Sequence, residues 1–351
     1  MYKTIEELVT KVDERNSDGT ISELIGVSID KCFIKSVANT NGTDLSKYKI
    51  IRRNDFAVSL MQVSRDGKIP IARLEEYEEA IMSPAYPIFR VKDKNIILPE
   101  YLEMWFKRPE FDREAAFIAV GGVRGSMPWE EFAKMKLPVP PIEKQQKIVN
   151  AYKIVTDRIA LKQRINDNLE ATAFAIYRET FITSRSANWN KGTLSDLLAV
   201  KYGKDHKHLA DGTIPLYGSG GIMRYVEKSL YDKVSVLIPR KGTLSNVLFV
   251  DEPFWSVDTM FYTEISKPYA AKFIYYFVKS KDLAGMDTGS AVPSMSSEII
   301  HSMELDIPDD ETLISFDKCL CPLYKQIKIN NQECDKLKSL QGILLTTISS
   351  R

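Results

Sequence analysis

The side chains best suited to chemistry with a partner are cations and amides gathered in loop-like stretches. They are Arg52, Arg53, Gln62, Arg65, Lys68, Arg73 and Arg124 in the first part of the chain, and Lys201, Lys204, Lys207, Arg240 and Lys241 in the second. Arginine pairs with guanine edges, glutamine and asparagine with adenine, and lysine mostly with phosphate. Each of these residues alone reads as a solvated surface charge, because most Lys and Arg are exposed anyway. Their clustering points to a nucleic-acid surface. A further feature is Ile214-Pro215-Leu216-Tyr217-Gly218-Ser219-Gly220-Gly221, a strand running into a glycine turn. Its spacing fits neither the dinucleotide nor the P-loop fingerprint, and a tight turn is its plainest reading. Such a turn, with Tyr217 and Ser219 beside it, also offers backbone N–H groups to a DNA phosphate.

Catalytic groups are not in view. His206-Lys207-His208 has no third ligand at zinc spacing and reads as an exposed basic loop, and His301 reads as structural. No pair of carboxylates stands out as general acid and base. There is no S-adenosylmethionine-type glycine motif and no Asn/Asp-Pro-Pro-aromatic signature, and Pro308-Asp309-Asp310-Glu311 lacks the lysine of a nuclease core. The four cysteines, with only Cys319 and Cys321 close together, give neither a disulfide framework nor a usual zinc site. We therefore expect no metal and no cofactor on this chain.

With a formal net charge of +1 over 351 residues, any DNA-binding surface must be local rather than global. No apolar run approaches the roughly 20 residues of a membrane span, and no signal peptide is visible, so a soluble, cytoplasmic protein is expected.

These loops need a frame, and the frame is a repeat. From Ile148 the positions Tyr152, Val155, Ile159, Lys162, Asn166, Leu169, Ala173, Ile176 and Thr180 follow in alternating steps of four and three. That is one face of a long helix packed on a second helix. Pro138, Pro140 and Pro141 give it an extended lead-in. About 40 helical residues would span roughly 60 Å, longer than a compact core needs. A shift of 168 residues lays MKLPVP at 135–140 on MELDIP at 303–308, and the face on Phe316, Leu320, Leu323, Ile327, Asn330, Cys334, Leu337, Gln341, Leu344 and Ile348. Lys162/Asn166 and Asn330/Cys334 interrupt the two seams near their middles, and such polar residues favour the one axial alignment in which they meet.

Before each helix lies a mixed α/β stretch without clean βαβ alternation, so a doubly wound parallel sheet is not expected. Strands are predicted at Gly26–Ile29, Lys49–Arg52, Phe56–Val63, Ile69–Ala72 and Pro87–Val91, then at Val234–Ile238, Leu248–Val250 and Met260–Ile265. Helices are predicted at 99–107, 111–120 and 269–279. Residues 1–16 read as a short amphipathic helix or a polar arm. Gly19-Thr20-Ile21-Ser22-Glu23-Leu24, echoed by Gly192-Thr193-Leu194-Ser195-Asp196-Leu197, reads as the opening of each domain.

The proline lead-in, Glu143, Gln145 and Gln146, and the D-x-x-I-x-L-x-x-x-I-N-x-x-L run at 157–169 resemble the central conserved region of Type I restriction–modification specificity subunits. The second copy resembles that family's C-terminal conserved region. It departs in Asp306, Asp309, Leu313 in place of Gln145, and Pro322 within the helix. The resemblance implies an α+β protein with an internal two-fold repeat: target-recognition domains at 1–140 and 186–308, and long antiparallel helices at 141–185 and 309–351. It further implies a non-catalytic reader of a bipartite DNA target. Two methyltransferase subunits carrying S-adenosylmethionine, and a restriction/translocase subunit using ATP and Mg, would be its partners. A two-lobed coiled-coil scaffold that binds protein only is the competing reading, and salt-dependent DNA binding separates the two.

Overall fold

The computed structural model describes residues 1–36, 43–61, 63–120, 125–286 and 294–348. The chain divides into two units, Met1–Lys162 with Gln332–Arg351, and Gln163–Asn331.

In the first unit, strand Tyr2–Thr4 pairs antiparallel with Lys136–Pro138, and a one-turn helix, Ile5–Leu8, follows at once. Glu7 accepts from the Thr4 N–H at 2.6 Å, closing the turn in the manner of a capping box. A four-stranded antiparallel sheet comes next, in the order Val9–Val12, Ile88–Val91, Phe56–Val58, Ile71–Arg73. Beside it lie a hairpin, Ile25–Val27 with Phe33–Lys35, and a strand pair, Lys49–Arg52 with Glu79–Met82. Helices Pro99–Phe106, Pro109–Ile118 and Trp129–Lys134 cover the sheet. Their aromatic rings meet those of the strands, with Phe56 stacked on Phe89 at 5.3 Å and Phe106 edge-on to both.

The second unit follows the same plan. Asn190–Thr193 pairs with Glu304–Ile307, and a 3₁₀ turn, Leu194–Asp196, closes with Asp196 accepting from the Thr193 N–H at 2.8 Å. Its four-stranded sheet runs Leu198–Tyr202, Met260–Ile265, Ser235–Pro239, Leu248–Val250, which is the first unit's order strand for strand. A three-stranded sheet adds Gly221–Val226, Asp211–Gly218 and Trp255–Ser256, and helix Ala271–Lys279 packs its aromatic face into the core.

The structure changes three expectations. Of the two readings of residues 1–16 the short helix holds, at Ile5–Leu8 between two strands, and the arm does not: Ile5 and Leu8 sit in the core, and the counterpart of Thr193–Leu197 is Thr4–Leu8. Thr20–Glu23 resembles that segment in composition but forms no helix or strand; Thr20 bonds to Asp18 instead. The strand beginning at Phe56 stops at Val58: Ser59 N–H still reaches the Pro70 carbonyl at 2.8 Å, but Pro70 has no N–H to return, and a short helix, Val63–Asp66, follows. Asn41-Gly42, expected from sequence as a turn between strands, and Gly121-Gly122, expected to end the helix at 111–120, lie outside the described residues.

The long helices are Ile142–Arg178 and Asp310–Thr347. Gln145, fully buried, explains the glutamine at the start of the first. It accepts from Leu98 N–H at 2.9 Å and donates to the carbonyls of Ile96 and Pro140 at 2.8 Å, docking the helix to its domain. In the second helix Leu313 occupies the matching place and packs into the apolar core instead. The first helix contains neither Gly nor Pro and ends in a widened turn at Glu179–Thr183, where Phe181 packs on Trp189 and Phe273. The second runs through Pro322.

Within the first unit, Val149 shares a cluster with Ile348, Thr156 accepts from Gln341 at 2.8 Å, and Val155 and Ile159 pack on Cys334. Numbers rise along one helix as they fall along the other, so the segments are antiparallel. Within the second unit, Asn166 lies by Asn330, and Tyr177 by Phe316. The buried seam follows the predicted positions from Val155 to Ala173. At its ends it shifts by one, to Val149 and Tyr177, as the 3.6-residue period drifts from the 3.5-residue pattern and the helix turns toward its own domain.

Candidate nucleic-acid interface

In the second unit four loops converge. Strand Leu198–Tyr202 leaves the sheet through Gly203, where a Cβ would collide with the carbonyl of Val257, so the backbone passes only as glycine. Lys204 follows, its N–H on the Ser256 carbonyl at 2.8 Å and its carbonyl accepting from the Trp255 indole at 3.1 Å. Arg224 clamps the rest of this loop, donating to the carbonyls of His206 at 2.7 Å and Leu209 at 3.1 Å and pairing with Asp211 at 2.9 Å. Lys204 and Lys207 therefore project from a fixed loop.

The glycine turn is a hairpin end, with Gly218 opposite Gly221 and Ser219-Gly220 between them. Gly221 has φ +110°, a conformation that side-chain-bearing residues rarely adopt. The Ser219 carbonyl accepts from the Asn246 amide at 2.9 Å, and Gly242 lies against the Ser219 hydroxyl, which ties the turn to loop 240–246. Arg240 is held there by its N–H on Thr259 at 2.9 Å and its guanidinium on the Asp258 carbonyl at 3.1 Å, 5.3 Å over the Tyr202 ring. The Arg240 carbonyl accepts from Met295 N–H at 2.9 Å, Lys241 bridges to Ser294, and the Tyr202 and Ser297 hydroxyls are 3.3 Å apart. Lys204, Lys207 and Lys241 are exposed and form no ion pair among the described residues. Lys201 reaches Glu264 at 3.4 Å.

The first unit has the corresponding loop pair. Met127 N–H bonds to the Leu60 carbonyl at 2.8 Å, as Met295 does to Arg240, and Gly125 (φ +72°) lies against Ser64. Gln62 and Arg124, which fall in these loops, lie outside the described residues.

The structure changes the roles of several predicted readers. Arg73 is buried on its strand, 2.8 Å from Glu103 and 2.7 Å from Asn54 and paired with Glu75, so it is part of the domain's interior. Tyr217 is buried edge-on to Phe254, and burial pushes its hydroxyl pKa up to about 12; the neighbouring Ser219, not Tyr217, faces the loops. Arg52 pairs with Glu14, Arg53 with Glu78 at 2.7 Å, and Arg65 with Asp66 at 2.8 Å. Arg52 and Arg53 also enter strand Phe56–Val58 at its start, whereas the loop matching 240–246 leaves from its end. Lys68 is exposed. His301 accepts from Val200 N–H at 3.0 Å, and among the described residues no three His, Cys, Asp or Glu gather as for a metal.

Of the residues at the helix seam, Asn330 donates to Asn166 at 2.8 Å and Asn166 to Asn331 at 2.8 Å. Lys162 pairs instead with Glu333 at 2.8 Å, and Cys334 packs against Val155 and Ile159. The bridges from Lys162 and Arg158 hold the Glu333 carboxyl below its usual range. Sequence reasoning missed Tyr202, Asn246, Ile222 and Met223. The first two are ordinary loop residues in sequence, but two exposed apolar residues directly after a glycine turn are a readable signal.

No helix among the described residues is long and apolar enough to cross a membrane. The family model described as Type I restriction modification DNA specificity domain matches residues 33–171 and again 186–339. A Methanocaldococcus jannaschii protein, the Type I restriction enzyme MjaIX specificity subunit, is 22% identical over 299 residues, covering 72% of this chain and 68% of its own. The crystal structure of a Type I restriction–modification S subunit from M. genitalium superposes with a TM-score of 0.62 at 15% identity, covering 100% of this chain and 96% of that one, and so shares the fold. The twofold match and the repeated domain plan agree: this chain belongs to the Type I restriction–modification specificity-subunit family, and its role is DNA target recognition.

Proposed function

We propose that each unit reads one half of a split duplex target, and that the chain supplies sequence choice to a complex whose chemistry lies elsewhere. The observation that carries this reading is the repeated loop closure. In each unit the loop leaving the same sheet strand is tied by one backbone hydrogen bond to a methionine ahead of the next helix, Leu60 to Met127 and Arg240 to Met295. Two copies of one loop frame with different side chains suit two different half-sites. Lys204, Lys207 and Lys241 serve phosphates, and Arg240, Ser219 and Asn246 lie where base edges would be read.

The partners in this reading are two methyltransferase subunits that carry S-adenosylmethionine, with a restriction/translocase subunit that uses ATP and Mg. The chain itself holds no cofactor and is not a catalyst. Ile154, Leu161, Leu340 and Ile343 are large apolar side chains exposed on the long helices, and they support helix docking by the methyltransferase. The helices also act as ruler, with the Asn166–Asn330 pair fixing the register that sets the spacer. Duplex binding at two salt concentrations tests the reading. A DNA reader loses affinity with a log–log slope near −0.9 per phosphate bound, whereas a protein-only adaptor shows no specific duplex binding.

A further inference from the structure

We infer that the tip of the hairpin formed by Asp211–Gly218 and Gly221–Val226 enters the major groove and reads thymine through its 5-methyl group, with Ile222 and Met223 as the reading side chains. The inference rests on the DNA-reading assignment above and adds the base feature that the second unit selects.

Ile222 and Met223 are 50% and 58% exposed, on a strand at the edge of its sheet. Large apolar residues at an open edge invite unwanted pairing, and no charge or proline guards this tip. Their display is built in. The register breaks between Leu216, opposite Arg224, and Tyr217, opposite Ile222, so Met223 is the extra residue of a bulge. Bulges re-aim side chains. Met223 folds across Gly218, where a Cβ would collide with its sulfur, so the glycine leaves room for the methionine.

The surroundings fix the occupant. Lys204 flanks the hairpin through Ser256, which pairs with Tyr217, and Lys241 flanks it through Gly242, which lies on Ser219. An apolar tip between unpaired ammonium groups fits a polyanion with an apolar feature between its charges. A two-stranded ribbon fits the major groove, about 12 Å wide, and not the minor groove, about 6 Å wide. Among base edges in the major groove, the thymine methyl is the apolar one. The lysines then fall toward the phosphates on either side.

The test starts from duplexes enriched by the full chain from a randomised pool, resynthesised with deoxyuridine for thymidine. This removes the methyl and keeps every hydrogen-bonding group. Wild type is expected to lose roughly fourfold in affinity for each methyl it touches. The Ile222→Ser/Met223→Ser double variant should bind both duplexes alike, at the wild-type level for the uridine duplex, while Met223→Leu keeps the wild-type ratio. Equal wild-type affinity for the two duplexes, or a double variant that retains the ratio, would overturn the inference. If no duplex is enriched at all, the DNA-reading assignment itself falls, and the inference with it.

Discussion

Replacing Asn330 with Leu tests whether the two helices are held in register by an amide pair. Asn330 is 1% exposed and Asn166 9% exposed. The substitution removes the donor to the Asn166 carbonyl oxygen at 2.8 Å and the acceptor of the Gln326 amide at 2.9 Å. Gln326 is exposed and rehydrates. The Asn166 oxygen stays nearly buried, and an acceptor stranded in that way costs about 1–3 kcal/mol. For a unit the size of Gln163–Asn331, that lowers Tm by roughly 2–4 °C per kcal/mol. Asn166→Leu/Asn330→Leu removes both amides and restores most of the stability, since an apolar pair of similar shape is near neutral. The coupling between the two sites should be about 1 kcal/mol or more, read from urea midpoints of the four proteins. Additivity within about 0.5 kcal/mol would refute the amide pair as an interacting unit. The double variant, freed of its polar constraint, should also direct methylation at more than one spacer length.

Arg240→Ala/Lys241→Ala should weaken duplex binding and flatten its salt dependence by about one unit of log–log slope for each phosphate the loop no longer reaches, with stability lowered by about 1–2 kcal/mol as Arg240 leaves the Asp258 carbonyl and the Tyr202 ring; an unchanged slope would remove the loop from the interface. Arg73→Ala should act in the opposite way, costing about 3 kcal/mol in urea unfolding by removing the buried guanidinium that joins Glu103, Asn54 and Glu75, with Lys107 alone left on Glu103, while affinity per folded molecule holds. Tyr177 and Tyr101 have hydroxyl pKa values raised by burial to about 12, against an ordinary value near 10. A folded-state value above the unfolded one means stability is fully present below about pH 10 and declines as pH rises toward 12. The unfolding free energy from urea titration should fall across that window, by about 2–3 kcal/mol for each tyrosine, and Tyr177→Phe should flatten the fall.

What could be read in the sequence depended on how local its cause was. The long helices were legible because their seam repeats at a fixed period for many turns, and Val155 to Ala173 lie where the period puts them. Strands Lys49–Arg52, Leu248–Val250 and Met260–Ile265 were legible as apolar runs between turns. Tyr2–Thr4 was not, because its partner, Lys136–Pro138, is remote in sequence and three residues carry no period. The domain start was misplaced because Gly19–Leu24 copies the composition of Gly192–Leu197 while Thr4–Leu8 copies its structure. At the site, residue type identified cations but not their neighbours. Arg52, Arg53, Arg65 and Arg73 meet carboxylates that only the fold brings near or orients, whereas Lys204, Lys207 and Lys241 do not.

The central claim is that this chain chooses a two-part DNA sequence, and mapping methylated adenines in a host that expresses it with the proposed methyltransferase subunits tests this most directly. The account predicts one motif of two short specified halves separated by a spacer of fixed length, absent from a host without the chain. It also predicts that the Arg240→Ala/Lys241→Ala variant lowers methylation at that motif without creating a new one. Methylation that does not depend on the chain, or a single uninterrupted motif, would contradict it.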